Sequence, residues 1–359
     1  MKKVICFGEV MARFSPPDRL RFRQAMPGLM EVTFAGAEVN AAVTIAALGG
    51  EAGFVTALPN SEITDCCLAA LRSARIDASK IKLLEQGRLG VYFVETGANQ
   101  RAGNVVYDRD GTTFSQTAAA EYAWDEIFAD AGWFHTTGIS AGVSQLAADA
   151  TVQAVQEART RGLTVSCDLN FRRKLWRWDR SLTPEALAKV TFDRMLTSVD
   201  LVIGGLGDVA HAAGVEISPG TPADPATALR VARAMVAGHP GVQSVAITLR
   251  EGSSSHHNRW GAVLYQASDD ALFAAPTKDE GYVPYDIPNI VDRIGAGDAF
   301  AGSLIFALQR KELSEPVKAI QFAAAASCLA HSIQGDFNFC SLHEVEALMN
   351  GSNGSRVSR

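Results

Sequence analysis

Asp292-Arg293-Ile294-Gly295-Ala296-Gly297-Asp298-Ala299-Phe300-Ala301-Gly302 is the sharpest signal in the chain. Three small residues precede an acid, and an apolar run with helical spacing follows over 297–310. Glycines at 295 and 297 let successive backbone N–H groups converge on one concavity, and the dipole of the following helix adds positive potential there. Such a turn suits an anion, above all a phosphoryl group with developing charge. Asp298 at its mouth could accept the proton of an attacking hydroxyl. The same residues also make a glycine-rich turn with Asp298 as the helix N-cap, and spacing alone does not choose between the two.

Outward from that turn, strand-like and helix-like runs alternate along the whole chain. Strands are predicted at 4–10, 53–58, 132–137, 163–168, 200–203 and 242–249. Helical patterns lie at 38–48, 61–74, 144–161, 184–197 and 225–238, with 315–332 and 342–350 after the glycine-rich turn. This order implies an α/β fold, a mostly parallel sheet with helices on both faces, whose ligands sit at the carboxyl ends of the strands. Two segments break the rhythm. Residues 11–35 are rich in Arg, Pro and Met without a helix signal, and 88–116 hold two β-like runs, 90–96 and 103–109, joined by a turn at Gly97-Ala98-Asn99. Together they suggest a small β-sheet lid that closes over the strand ends; a surface excursion without a role is the other reading. Residues 216–226 read as a loop and 351–359 as a flexible polar tail, which leaves one α/β domain over 1–350.

Composition narrows the partners. The 359 residues carry 33 Lys+Arg against 39 Asp+Glu, a net charge of −6, which argues against a nucleic-acid platform. An apolar fraction of 47% with 20% charged residues excludes disorder. No apolar stretch approaches the roughly 20 residues a spanning helix needs. Lys2-Lys3 precede an apolar run that Glu9 interrupts too early for a signal peptide. Six cysteines without metal-ligand spacing read as reduced thiols of a cytoplasmic protein.

Other motifs are weaker. Gly36 ahead of helix 38–48 would let the chain approach a ligand, and Asn40 offers a donor and an acceptor; a plain turn before a packed helix explains them as well. Past the strand 163–168 come Asp168-Leu169-Asn170-Phe171-Arg172-Arg173, where either arginine could clamp a carboxylate or simply meet solvent. Gly138-Ile139-Ser140-Ala141-Gly142 matches a nucleophile elbow, with Ser140 as a hydrolase nucleophile, but lacks a glycine-rich oxyanion loop upstream. Gly205-Leu206-Gly207-Asp208-Val209-Ala210 matches a dinucleotide fingerprint, but no second strand ends near Asp224 to hold a ribose. No G-K-[ST] occurs, and the protein-kinase motif set is missing.

Taken as a pair, the Gly36/Asn40 segment and Gly295 to Asp298 resemble the two signatures of the ribokinase/PfkB family of small-molecule kinases. They stand about 260 residues apart in the family's order, and the resemblance covers nearly the whole chain. Within the family, Asp292-Arg293-Ile294, the 168–176 loop, Thr248-Leu249-Arg250 with Asn258-Arg259-Trp260, and Gly335-Asp336-Phe337-Asn338 look most like the 2-keto-3-deoxygluconate kinases.

The resemblance implies a ribokinase-like fold and phosphorylation of that keto acid by ATP with Mg²⁺. Asp298 would be the base, and the amides of Gly295, Ala296 and Gly297 the anion hole. Gly36, Asn40, Tyr92, Tyr107 and Arg109 would approach the sugar. Arg172 would hold its carboxylate, and Asn170 would lie at the phosphate end of the same loop. Thr248, Arg250, Gly335 and Asp336 would serve the nucleotide. One departure stands out: Gly205 and Asp208 occupy the positions of an Asn-x-x-Glu motif that supports Mg²⁺ and phosphate, leaving Asp208 as the metal candidate. A kinase of another small sugar such as fructose or ribose, or a degenerate sugar-binding protein, are the alternatives. Lid ribbons of this family pair between subunits, which implies a homodimer or higher homo-oligomer.

Overall fold

The computed structural model describes residues 1–279 and 281–351, so the tail beyond Gly351 lies outside the described residues. Six parallel strands form the centre of a nine-stranded sheet, in the order Ser244–Ser254, Leu201–Gly205, Thr164–Asp168, Ala131–Thr137, Lys3–Phe7 and Ala52–Val55. Beyond Ser244–Ser254 the sheet turns antiparallel, through His257–Gln266 and its neighbours Ala271–Ala275 and Tyr285–Ile287. The sequence reading assigns no element to this last stretch. A meander of short strands with no helix between them lacks the βα alternation that marks the rest.

Period-two burial splits the core in two. In Lys3–Phe7, Ile5 and Phe7 pack into one hydrophobic cluster, Val4 and Cys6 into the other. The first cluster is closed by the helices Gln145–Thr160, Pro184–Leu196 and Pro225–Gly238. The second is closed by Ala37–Ala47, Glu62–Ser73, Ala296–Gln309 and Pro316–Ala330. Helix starts fall where short polar side chains meet orphan N–H groups: Ser144, Thr183 and Asp224 each cap a backbone N–H three residues on. Two of these caps are followed by proline at the first helical position, Pro184 and Pro225.

Residues 11–35 and 88–116 supply a separate four-stranded sheet in the order Glu31–Ala35, Met11–Ser15, Gly90–Glu95, Asn104–Asp108. Two expectations need correction here. The run 4–10 is not one strand: Lys3–Phe7 belongs to the large sheet, and the chain crosses at Gly8 to enter the small one as Met11–Ser15. A Cβ on Gly8 would stand 2.1 Å from the Glu38 carboxyl carbon, so the crossing needs a residue without one. Residues 11–35 also contain a helical turn, Phe22–Ala25, too short to show a period. Among the described residues, no helix is long and apolar enough to cross a membrane.

Candidate active site

The carboxyl ends of Thr164–Asp168 and Leu201–Gly205, and the middle of Ser244–Ser254, open onto a cavity of about 710 Å³. The helices Ala37–Ala47 and Ala296–Gln309 point their first turns into it. The small sheet roofs it with Met11, Tyr92, Val105 and Tyr107. Every residue that the family resemblance assigns to the site lines this cavity except Gly335.

At its floor lies the glycine-rich turn. Gly295 is the helix N-cap with φ 86°, a left-handed conformation, and a Cβ there would stand 2.3 Å from the Asp336 carbonyl oxygen. Asp298 therefore sits in the first helical turn and is not the cap. Its Oδ2 accepts from Asn40 Nδ2 at 2.7 Å, while Asn40 Oδ1 accepts the N–H of Gly36 at 3.2 Å. Two tight backbone approaches bring these groups together. A Cβ on Gly302 would meet the Ala41 carbonyl oxygen at 2.5 Å, and one on Gly36 would meet the Glu9 carbonyl oxygen at 2.0 Å. Burial raises the Asp298 pKa to about 6; the Asn40 hydrogen bond and the Arg172 charge pull it down, and the Asp336 charge pushes it up.

Asp168 and Asp208 stand near the same floor, and burial raises both pKa values, with the charge of Arg172 opposing the shift in each. Asp168 Oδ1 accepts the N–H of Asn170 at 3.1 Å, closing an Asx turn in which Asn170 takes φ 35°. The structure separates the two arginines of this loop. Arg172 lines the cavity, while Arg173 is tied to Glu185 at the surface. Gly205 caps the short helix Leu206–Ala212 without a side chain, and a Cβ there would lie 3.8 Å from Asp208 and 3.9 Å from Thr248, ordinary contact distances.

In the roof, Arg109 is committed to Glu9, which also accepts from Thr112, and its guanidinium lies over the Tyr107 ring at 5.7 Å. The Tyr92 hydroxyl donates to Asp336 Oδ2 at 2.7 Å, and Asp336 is ion-paired to Arg13. Asp336 thus has protein partners on both carboxylate oxygens. Gly335 donates its N–H to Asp292 Oδ2 at 3.3 Å and serves the turn from behind the cavity wall. Thr248 and Arg250 line the far end together with Arg293, Trp260 and His331.

His331 Nδ1 donates to the Ser327 carbonyl at 2.8 Å, so Nε2 accepts from Asn258 Nδ2 at 3.2 Å and the ring is neutral. Sequence reasoning gives Glu9 and His331 no site role, because neither belongs to a motif and each comes to the wall from a different segment; Arg293 stands in the Asp292-Arg293-Ile294 motif but receives no role of its own. Ser140 is fully buried, and its hydroxyl donates to Glu38 Oε1 at 2.7 Å. The nucleophile-elbow reading is therefore overturned: the hydroxyl is spent on a buried carboxyl and does not reach the cavity.

A cleft at the strand ends, a glycine turn at a helix start and a buried carboxylate at its mouth are the parts of a phosphoryl-transfer site. The profile described as pfkB family carbohydrate kinase matches residues 1–340. The chain belongs to this family. It is a carbohydrate kinase with the ribokinase-like fold. A 2-dehydro-3-deoxygalactonokinase of Haloferax volcanii is 29% identical over 351 residues, covering 97% of each chain. A 2-dehydro-3-deoxygluconokinase of Bacillus subtilis is 25% identical over 310 residues, 84% of this chain and 81% of the relative. The crystal structure of a 2-dehydro-3-deoxygluconokinase from Thermotoga maritima superposes with a TM-score of 0.86 at 35% identity, covering 98% of this chain and all of that one.

Proposed function

We propose that this pfkB kinase transfers the γ-phosphoryl group of ATP to the terminal hydroxyl of 2-keto-3-deoxygluconate, giving the 6-phosphate. The observation that carries the reading is Asp298, buried at the mouth of the glycine turn and held by Asn40 at 2.7 Å. A pKa of about 6 leaves it ionised at neutral pH yet basic enough to take the hydroxyl proton as the new bond forms. The amides of the 295–297 turn and the start of the helix Ala296–Gln309 face the charge that develops on the transferring group. Arg172 lines the same cavity and supplies the positive charge that a sugar acid needs and a neutral sugar does not. The relatives named for keto-deoxy sugar acids support this choice over fructose or ribose.

The cavity fits a nucleotide. The place where a Cβ of Gly297 would stand is open, which leaves room for phosphate against the turn, and the buried Nε1–H of Trp260 has no protein partner. Among the described residues no group of three metal-ligating side chains occurs, so Mg²⁺ would rest on phosphate oxygens with Asp208 as its carboxylate. ATP with Mg²⁺ supplies the phosphoryl group and neutralises its charge. The small sheet acts as the lid that keeps water from the reaction. Its outer face carries Val32, Phe14, Phe93 and Val106 in one cross-strand row, the surface through which two copies would pair. Unpaired thiols and a need for ATP support a cytoplasmic location.

The test is ADP release with ATP and Mg²⁺ on 2-keto-3-deoxygluconate, its galactonate epimer, fructose and ribose, with Asp298→Asn as control. Preference for the gluconate-derived acid, lost in the variant, is the expected result. Preference for the epimer moves the substrate within its class. Turnover of neutral sugars alone removes the carboxylate role of Arg172. Ligand binding without ADP release on any sugar shows a degenerate binding protein.

A further inference from the structure

Arg13 takes no part in the chemistry above, yet its side chain is only 3% exposed. It sits within the strand Met11–Ser15, on the same face as Met11 but behind the cavity wall. Its Nη2 donates to Asp292 Oδ2 at 2.6 Å, and its Nη1 donates to Asp336.

Both carboxylates act on the glycine turn. Asp292 Oδ1 accepts the N–H groups of Arg293 at 2.8 Å and Ile294 at 3.1 Å, the two peptides that lead into Gly295. The Asp336 carbonyl presses on Gly295 so closely that no side chain fits there. Tyr92, on the neighbouring strand of the small sheet, holds the other Asp336 oxygen. One guanidinium thus ties the small sheet to both loops that shape the turn.

We propose that Arg13 is a positioning residue that couples the seating of the small sheet to the shape of the phosphoryl-binding turn. When the sheet lifts, two buried carboxylates lose their shared cation and hydrate, and the peptides they hold move with them. The anion hole is then complete only under a closed roof, where water is excluded and a sugar is enclosed. The planar fork of arginine spans two carboxylates at once, which the single ammonium of lysine does not. This inference rests on the phosphoryl-transfer reading of the site.

The experiment uses the full chain with Arg13→Ala and Arg13→Lys. In Arg13→Ala, kcat falls about 100-fold, the scale of a small misplacement at the reacting centre, while KM for the sugar changes little. Millimolar guanidinium restores part of kcat. Amide hydrogen exchange quickens over 293–297 and slows again when guanidinium is added. Arg13→Lys, which keeps the charge and guards against a variant that does not fold, shows the same changes in weaker form. An unchanged kcat, a rise in KM alone, or a loss of protection spread evenly over the large sheet would overturn the proposal. If the wild type phosphorylates none of the sugars, the functional reading fails and the exchange data still decide the role of Arg13. Quickening confined to 293–297 supports it, and unchanged exchange there refutes it.

Discussion

Two sets of buried carboxylates flank the Gly295–Gly297 turn, and the protein treats them in opposite ways. Asp292 and Asp336 share the Arg13 guanidinium at ion-pair distance. Asp298, Asp168 and Asp208 form no ion pair among the described residues; burial raises all three pKa values, and Arg172 only moderates the shift. Burial also pushes up the Asp336 pKa, with Arg13 and Tyr92 pulling it back. A carboxylate paired with a buried cation is bound to its place and is a weaker base for it. An unpaired one, held by an amide alone, keeps its basicity for a substrate. On the proposed function, the difference separates scaffold from chemistry within a few residues of one turn.

The harshest way to break that comparison is to neutralise the unpaired base. Asp298→Asn should lower kcat about 10²–10⁴-fold, the range for a lost general base, as read by coupled ADP release. The same kind of change should then split the two sets by stability. In the folded state Asp298 holds its proton up to a pKa of about 6, against an ordinary 3.8. A raised carboxyl pKa means that stability falls as pH rises from 3.8 through about 6, so at pH 7 the ionised group costs about 3 kcal/mol. Asp298→Asn should therefore raise the melting temperature at pH 7, whereas Asp292→Asn should lower it through a loss of about 3 kcal/mol of stability, because it leaves a buried cation half paired. Equal signs in thermal melts would sink the distinction.

Smaller effects sharpen it. Arg172→Met should raise KM for the keto acid about 10- to 100-fold, the worth of a charged hydrogen bond, and leave KM for any neutral sugar unchanged. In the wild type, kcat/KM should fall about tenfold per pH unit below a pH of about 6, as the proton occupies Asp298; a flat acid limb would remove Asp298 as the base. Least of all, Gly205→Asn should fit without clash and stabilise by a few tenths of a kcal/mol in chemical denaturation, since asparagine caps a helix slightly better than glycine.

Much of the fold was legible because its signals are local. Helix starts follow from Ser144, Thr183 and Asp224, which answer orphan amides within three residues. Strand identity follows from short β-rich runs between them, and the ribbon at 88–116 from two such runs with no helix between. The meander over 257–287 was not legible, since its strands are defined only by the partners they find across the sheet. The site was legible where glycine was forced: Gly36 and Gly295 each face a backbone oxygen too closely for any Cβ.

By itself, then, the sequence determined the βα order, the glycine turn ahead of a long helix and the acid at its mouth, because propensity, capping and turn chemistry act over a few residues. Only the tertiary structure decided which polar groups meet. It set Asn40 against Asp298 across 258 positions, turned Arg172 rather than Arg173 toward the cavity and buried Ser140 on Glu38. It also placed Arg13 between two carboxylates roughly three hundred positions away. Such pairings are made where distant segments are packed together, and they are selected by the free-energy cost of leaving a desolvated charge or polar group without a partner.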